Sequence, residues 1–234
     1  MAKKKFKIIL DVETAGTTEN PLVYDIGFVV ADREGKIYEM YSYVVSDIFF
    51  GEEEKMRNAY YADKLPQYYE GLSNGKWVKK PFMEIWKEFK EIVKKYNVKS
   101  VCAYNCAFDK NALNNTIEYL SNGYVKWFFP YGIEFECIWN EFCQTYANTT
   151  KYIKWAIENG YVSPSGNVKT NAECAYNYLM GTADFEECHT GLEDVLIELE
   201  IMRKCLNYGH KKLDKGISKS CWRIPNKKRK EKGL

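Results

Sequence analysis

Apolar residues recur along this chain with two different periods, and the change of period divides it. Near the amino terminus they form short β-branched runs. Residues 5–12, with Ile8, Ile9 and Leu10 at the centre, predict a first strand. Residues 25–31 (DIGFVVA) and 37–45 (IYEMYSYVV) predict two more. The turn Asp32-Arg33-Glu34-Gly35 joins these at hairpin length, so the chain opens as a three-stranded antiparallel meander. Residues 47–80 carry polar clusters and scattered aromatics, which predict short helices and a loop around Ser73-Asn74-Gly75. From residue 82 the spacing lengthens to three and four. Phe82, Ile85, Trp86, Phe89, Ile92, Val93 and Tyr96 keep one apolar stripe over 82–96, and Pro81 suits the start of that helix. Residues 100–104 predict a short buried strand, followed by a helix that starts near Asp109 and turns Ala112, Leu113, Ile117 and Leu120 inward. A fifth strand is expected over 133–138 and helices over 138–147, 150–159 and 170–180, with a turn-rich segment at 159–167. The last helix, 191–208, carries Leu192, Val195, Leu196, Leu199, Met202 and Leu206 at helical spacing. Strands first, then strands alternating with helices, then helices alone predict a mixed α/β sheet covered by helices.

Composition narrows the class. The chain has 234 residues, 46% hydrophobic and 28% charged. That is enough apolar surface for a real core, and it excludes general disorder. No apolar run reaches the ~18–20 residues of a membrane span. The opening MAKKKFKIILDVE has too short an apolar stretch for a signal peptide, which leads to the expectation of a cytoplasmic protein. Eight cysteines without a C-x-x-C pair, beside only two histidines, argue for reduced, partly buried thiols over a structural zinc site. The net charge of +2 hides an asymmetry. Residues 203–234 hold twelve Lys or Arg against two acids, which leaves the rest of the chain at −8. One domain over 1–208 with a basic tail over 209–234 follows, and Trp222 and Ile224 suggest that part of the tail packs back on the body. Such a tail fits a polyanionic partner, and it equally fits a solvated, frayed terminus.

Candidate chemistry lies in carboxylates. Asp11 and Glu13 end the first predicted strand, where residues two apart share a face. Adjacent carboxylates repel, and a divalent cation is the usual offset; an ordinary strand ending in solvent is the plainer alternative. Gly16 lets the backbone turn or approach a ligand. Asp109 opens a helix, where the dipole favours an acid, so simple capping is an alternative there too. Asn105 orients that loop or accepts the helix start. Phe108 is either core or an apolar wedge against a base. His189 stands before Thr190, an N-cap candidate, and Asp194 follows inside the helix with Glu193 read as solvated. Five residues turn a helix by about 140° net, so His189 must reach Asp194 from the loop. Histidine titrates near neutrality, which suits a general base, although a loop histidine can also be idle. Oxygen ligands suit Mg²⁺ or Mn²⁺, and two such ions stabilise both oxygens of an in-line phosphodiester displacement. Lys151, Lys154 and Lys169 are either phosphate contacts or solubilising surface.

DVETAG (11–16), YNCAFDKNAL (104–113) and HTGLEDV (189–195) resemble, in order and spacing, the three motifs of the DEDD, or DnaQ-like, 3′–5′ exonuclease superfamily. His189, five positions before Asp194, matches its DEDDh branch, and the likeness spans about residues 6 to 208. DVETAG is similar to ribonuclease T-type members, and DIG (25–27) resembles the family's second strand. The resemblance implies a ribonuclease H-like fold, a five-stranded mixed sheet with three antiparallel strands then parallel ones. It implies that Asp11, Glu13, Asp109 and Asp194 hold two Mg²⁺ or Mn²⁺ ions and that His189 deprotonates water. It also implies release of 5′-mononucleotides from single-stranded 3′ ends, with DNA favoured over RNA. Backbone at Thr14, Ala15 and Gly16 would hold the terminal nucleotide, with Asn105 and Phe108 supporting it. Residues 47–80, 163–173 and the basic tail depart from a minimal member and are expected to select substrate and partners. Two other readings share the fold: a non-catalytic nucleic-acid-binding module, and a proofreading subunit that works with a polymerase. Ribonuclease T-type members pair while others act alone, so the resemblance leaves both a homodimer and a monomer open.

Overall fold

The computed structural model describes residues 5–208 and 220–234. Three strands, β1 (Phe6–Gly16), β2 (Pro21–Asp32) and β3 (Ile37–Val45), form the antiparallel meander. The Asp32 carboxylate closes its second turn by accepting the backbone N–H groups of Glu34 at 3.1 Å and Lys36 at 3.0 Å. Both β1 and β2 are longer than their apolar runs, because Gly16 pairs with Pro21 and the strands stay bonded past the acids. The register shifts between Glu13 and Thr14, opposite Asp25 and Val23, so Tyr24 is the extra residue of a bulge beside the acids.

The segment after β3 forms α1 (Ser46–Phe49), α2 (Glu53–Arg57), a 3-10 turn (Ala62–Lys64) and α3 (Leu65–Ser73). It ends in β4 (Val78–Lys80), which pairs parallel with β3. The expected five strands are therefore six, in the order β4-β3-β2-β1-β5-β6 among the described residues. Val78-Lys79-Lys80 is too short to show a period, and its lysines suit an exposed edge. α4 (Phe82–Tyr96) matches the predicted stripe residue for residue. β5 (Ser100–Ala103) then leads into α5 (Cys106–Leu120), and β6 (Glu134–Cys137) into α6 (Ile138–Gln144). The helices α7 (Thr150–Glu158), α8 (Ala172–Met180), α9 (Gly191–Asn207) and α10 (Arg223–Glu231) complete the chain. β5 pairs parallel with β1 and β6 parallel with β5. α5 begins three residues before Asp109 because Asn105 takes a left-handed conformation, φ 61°, and turns the strand directly into the helix.

Strand alternation sorts the side chains into two cores. Ile8, Leu10 and Val12 of β1 join Ile26, Phe28 and Val30 of β2 against α4 and α5. Ile9 joins Val29 and Ala31 against Val195, Leu199 and Met202 of α9. Asp11 and Glu13 continue the Ile9 face, so the pleat itself aims both acids at α9.

The seat of α9 is set by two glycines. A Cβ added to Gly27 of β2 would lie 2.2 Å from the Gly191 carbonyl carbon, and one added to Gly191 would lie 2.6 Å from the Gly27 nitrogen. Backbone meets backbone there, so nothing can give by changing rotamer. Gly27→Ala is expected to cost at least about 2 kcal/mol and to lower Tm by several degrees; thermal unfolding followed by circular dichroism checks this, and an unchanged Tm would contradict it.

Candidate functional site

A cavity of about 780 Å³ opens where the carboxyl ends of β1 and β5 meet the first turns of α5 and α9. Parallel strands leave such a crevice at their carboxyl ends. Asp11, Glu13, Asp109, His189 and Asp194 all line it. Three stretches far apart in sequence thus bring their acids to one place. One ligand atom each from Glu13, His189 and Asp194 lies within 4.8 Å of the others.

These acids are desolvated and repel one another. Burial, then the charges of Asp25 and Glu187, push Asp11 up to about 7. Burial, then Asp11 and Asp194, push Glu13 up to about 10. Asp194 rises to about 9 by burial and then by Asp11 and Glu187. Asp109 is raised well above the carboxylate range by burial and then by Asp11. Asp194 Oδ1 is buried with no hydrogen-bond partner among the described residues. A cluster of oxygen donors that repel one another, one of them unpartnered, fits hard divalent cations.

Asp25 braces the cluster, and sequence reasoning noticed it only within DIG. It lies opposite Glu13 in the β1–β2 register and is fully buried. Its Oδ2 accepts the Gly191 backbone N–H at 2.9 Å and the Tyr68 hydroxyl at 2.7 Å. Burial lifts Asp25 to about 6, and these two donors hold it from going higher. The signal in the sequence was an acid inside an otherwise apolar strand, which demands buried partners.

His189 does reach in from the loop. Its backbone is left-handed, φ 55°, a strained conformation for a non-glycine residue. Its ring stacks on Tyr61 with centroids 3.9 Å apart and planes at 15°. Tyr68 donates weakly to its carbonyl at 3.4 Å. Burial, helped by Lys64, lowers its pKa and so favours the neutral ring. Thr190 is the N-cap by position, but its hydroxyl donates to Glu193 at 2.6 Å and caps no backbone group. Glu193 is also bridged by Lys76 at 3.1 Å, so it is paired instead of merely solvated. Tyr61, Tyr68 and Lys76 all come from the 47–80 stretch, which therefore holds the His189 loop in place.

Asn105 and Phe108 line the cavity, whereas Thr14, Ala15 and Gly16 are not among its lining residues, because β1 runs on past Glu13 to Gly16. Lys169 is at the cavity, while Lys151 and Lys154 lie on α7 away from it. Two further acids line it that sequence reasoning passed over. Glu198, one helical turn after Asp194, is buried, and its Oε2 lacks a partner among the described residues. Glu187 is lifted to about 7 by burial and then by Glu173. Helical spacing from Asp194 was the available signal for Glu198. All eight cysteines are free and all but Cys188 are buried. Among the described residues no helix is long and apolar enough to cross a membrane.

No protein-family description matches the sequence. No curated protein sequence matches it either. Solved structures do resemble it. E. coli Exonuclease I in complex with a dA16 oligonucleotide superposes with a TM-score of 0.55 at 13% identity, covering 89% of this chain and 42% of that one. The same enzyme in complex with a 5cy-dT13 oligonucleotide gives 0.54 at 11% identity, covering 89% and 41%. An apo form of Exonuclease I gives 0.52 at 12% identity, covering 89% and 43%. The chain thus spans about two fifths of the length of these neighbours. At such identities the likeness is one of fold: the chain has a ribonuclease H-like α/β fold, shared with part of Exonuclease I.

Proposed function

We propose that the protein is a metal-dependent 3′–5′ exonuclease of the DEDD superfamily, DEDDh branch, that removes 5′-mononucleotides from single-stranded ends, DNA in preference to RNA. The observation that carries this reading is the convergence of Asp11, Glu13, Asp109, His189 and Asp194 on one cavity. The neighbours in complex with single-stranded oligonucleotides support it.

Asp11, Glu13, Asp109 and Asp194 would hold two Mg²⁺ or Mn²⁺ ions. When bound, such a pair supplies electrostatic stabilisation to the attacking and leaving oxygens. The chain's own groups do the rest. Neutral His189 accepts a proton from the attacking water at a ring nitrogen, and the stack on Tyr61 fixes the plane of that ring. The water oxygen bonds to the terminal phosphorus, and the 3′ oxygen of the preceding nucleotide leaves. Asn105 and Phe108 flank the place where the terminal nucleotide would sit, with the Phe108 ring as an apolar surface for a base. The cavity has the size of ordinary small-ligand sites, which suits one nucleotide at a time.

Two 5′-labelled oligonucleotides of one sequence, one DNA and one RNA, test this directly. The expected result is a ladder shortening from the 3′ end in Mg²⁺ or Mn²⁺, faster on DNA, and none in EDTA. Asp11→Asn is expected to lower kcat at least about 10³-fold. His189→Ala is expected to lower it by about 10²–10⁴. Intact substrates under every condition would overturn the reading, and binding that survives EDTA without turnover would favour a non-catalytic module. The pH profile follows from His189: kcat/KM is expected to fall as pH drops through a pKa below 6.5, where the ring takes up a proton.

Stability supplies an independent check. Carboxyls with raised folded-state pKa values hold extra protons when folded, so their contribution is fully present below the unfolded values near 4. It is lost as pH rises through about 7 for Asp11, 9 for Asp194 and 10 for Glu13. Metal-free protein is therefore expected to lose Tm between pH 6 and 9, and Mn²⁺ to raise Tm more at pH 9 than at pH 6. Differential scanning fluorimetry checks this, and a pH-independent metal effect would contradict it.

A further inference from the structure

The residue that caps helix α10 forms part of the wall of the cavity. Trp222, its N-cap residue, lines the cavity together with Trp139 and Lys169. Behind Trp222 the segment is anchored at several points. Asn226, buried, grips Val168 with both side-chain atoms: Oδ1 accepts the Val168 N–H at 2.8 Å and Nδ2 donates to the Val168 carbonyl at 3.2 Å. Lys228 donates to the Asn148 carbonyl at 2.7 Å. Cys221 is buried beside the Cys143 thiol of α6. The Val168 segment of this contact continues into Thr170, whose carbonyl accepts the Tyr104 hydroxyl at 2.5 Å and whose Oγ1 accepts the Trp139 indole N–H at 2.8 Å. Hence α10, the segment 163–170 and the floor of the cavity are one connected unit.

The outer face of α10 is chemically different. Arg223, Lys227 and Lys230 are exposed at spacings of four and three, so they share one face and span about 10 Å of helix axis. The Arg223 guanidinium also lies 5.5 Å from the Trp222 ring centroid. Glu231, 3.9 Å from Lys227, is the one acid on the helix. An aromatic ring at a cavity followed by a row of cations is the chemistry that binds a single strand: the ring stacks a base, and the cations track phosphates.

We propose that Trp222 and the Arg223–Lys227–Lys230 face of α10 form a second subsite, which holds single-stranded nucleic acid on the 5′ side of the nucleotide in the cavity. The subsite rests on the reading of the cavity as a 3′-end site. A strand that leaves the cavity passes Trp222 first and then runs along the basic face. Substrates longer than a few nucleotides gain affinity from that face, and short ones do not.

Fluorescence anisotropy in EDTA, with 5′-fluorescein dT4 and dT12 and the full-length chain, tests the subsite. In the variant Arg223→Gln/Lys227→Gln/Lys230→Gln, affinity for dT12 is expected to fall about tenfold and affinity for dT4 much less. The slope of log affinity against log salt for dT12 is expected to shrink by about 2, at ~0.7 per phosphate contact. Trp222→Leu is expected to weaken both probes about tenfold, and Trp222→Phe, which keeps a ring, to restore most of the loss. Unchanged dT12 affinity and salt slope in the triple variant, with wild-type Tm, would overturn the subsite. Turnover of the p-nitrophenyl ester of thymidine 5′-monophosphate by the wild type in Mn²⁺ separates the two proposals, because that substrate is confined to the cavity. Turnover combined with α10-independent dT12 binding overturns the subsite alone. Absence of turnover combined with α10-dependent binding supports the subsite and overturns the nuclease.

Discussion

The contact between Gly27 and Gly191 sets the geometry on which the site depends. Neither residue has a side chain, so the start of α9 sits directly on the β2 backbone. Any Cβ at either position would separate the layers. The Gly191 N–H then bonds the buried Asp25 carboxylate, and the Tyr68 hydroxyl donates to the same oxygen. A bare backbone contact and a charge-assisted hydrogen bond thus fix α9 in height and rotation. Asp194 lies in the first turn of α9, where a small displacement moves it most directly relative to Asp11 and Glu13 on β1.

That closeness has an electrostatic cost. Asp11 raises the proton affinity of Glu13, Asp109 and Asp194, Asp25 and Glu187 raise that of Asp11, and burial raises all four. A fold built only for stability would not gather acids at the end of its central strand, because each costs desolvation and each repels the next. The rest of the molecule absorbs the strain: two cores clasp the sheet from both faces, and Tyr61 and Tyr68 hold the loop of His189. Divalent cations would turn the same repulsion into ligation. The site is thus poised by the conflict among its own charges.

Much of this is legible in the sequence, for physical reasons. The 82–96 helix shows itself because its stripe faces one core throughout. The acids on β1 show themselves because strand alternation needs no tertiary knowledge. Other features depend on distant partners and leave weaker marks. β4 is three residues long and owes its existence to pairing with β3. The extension of β1 to Gly16 comes from pairing with Pro21, against local composition that reads as a turn. Asp25 looks like a strand boundary until Tyr68 and Gly191 are seen to donate to it. The 47–80 stretch has no period to read, since Tyr61 and Tyr68 were placed by contacts with a loop more than a hundred residues away. Trp222 and α10 carry so many cations that composition alone reads them as tail, although Asn226, Pro225 and Cys221 are buried. Residues 209–219 of that tail lie outside the described residues.

The account's central claim is that the gathered acids are a cation site, assembled by the geometry that α9 imposes. Titration calorimetry of Mn²⁺ into metal-free protein at pH 7, in two buffers of different ionisation enthalpy, tests it most directly. The account predicts two ions per chain and a net release of protons, because Glu13 and Asp194 hold protons until a cation displaces them. It further predicts that Asp194→Asn abolishes at least one of the two binding events. Absence of Mn²⁺ binding at millimolar concentration, or binding without proton release that Asp194→Asn leaves intact, would contradict it.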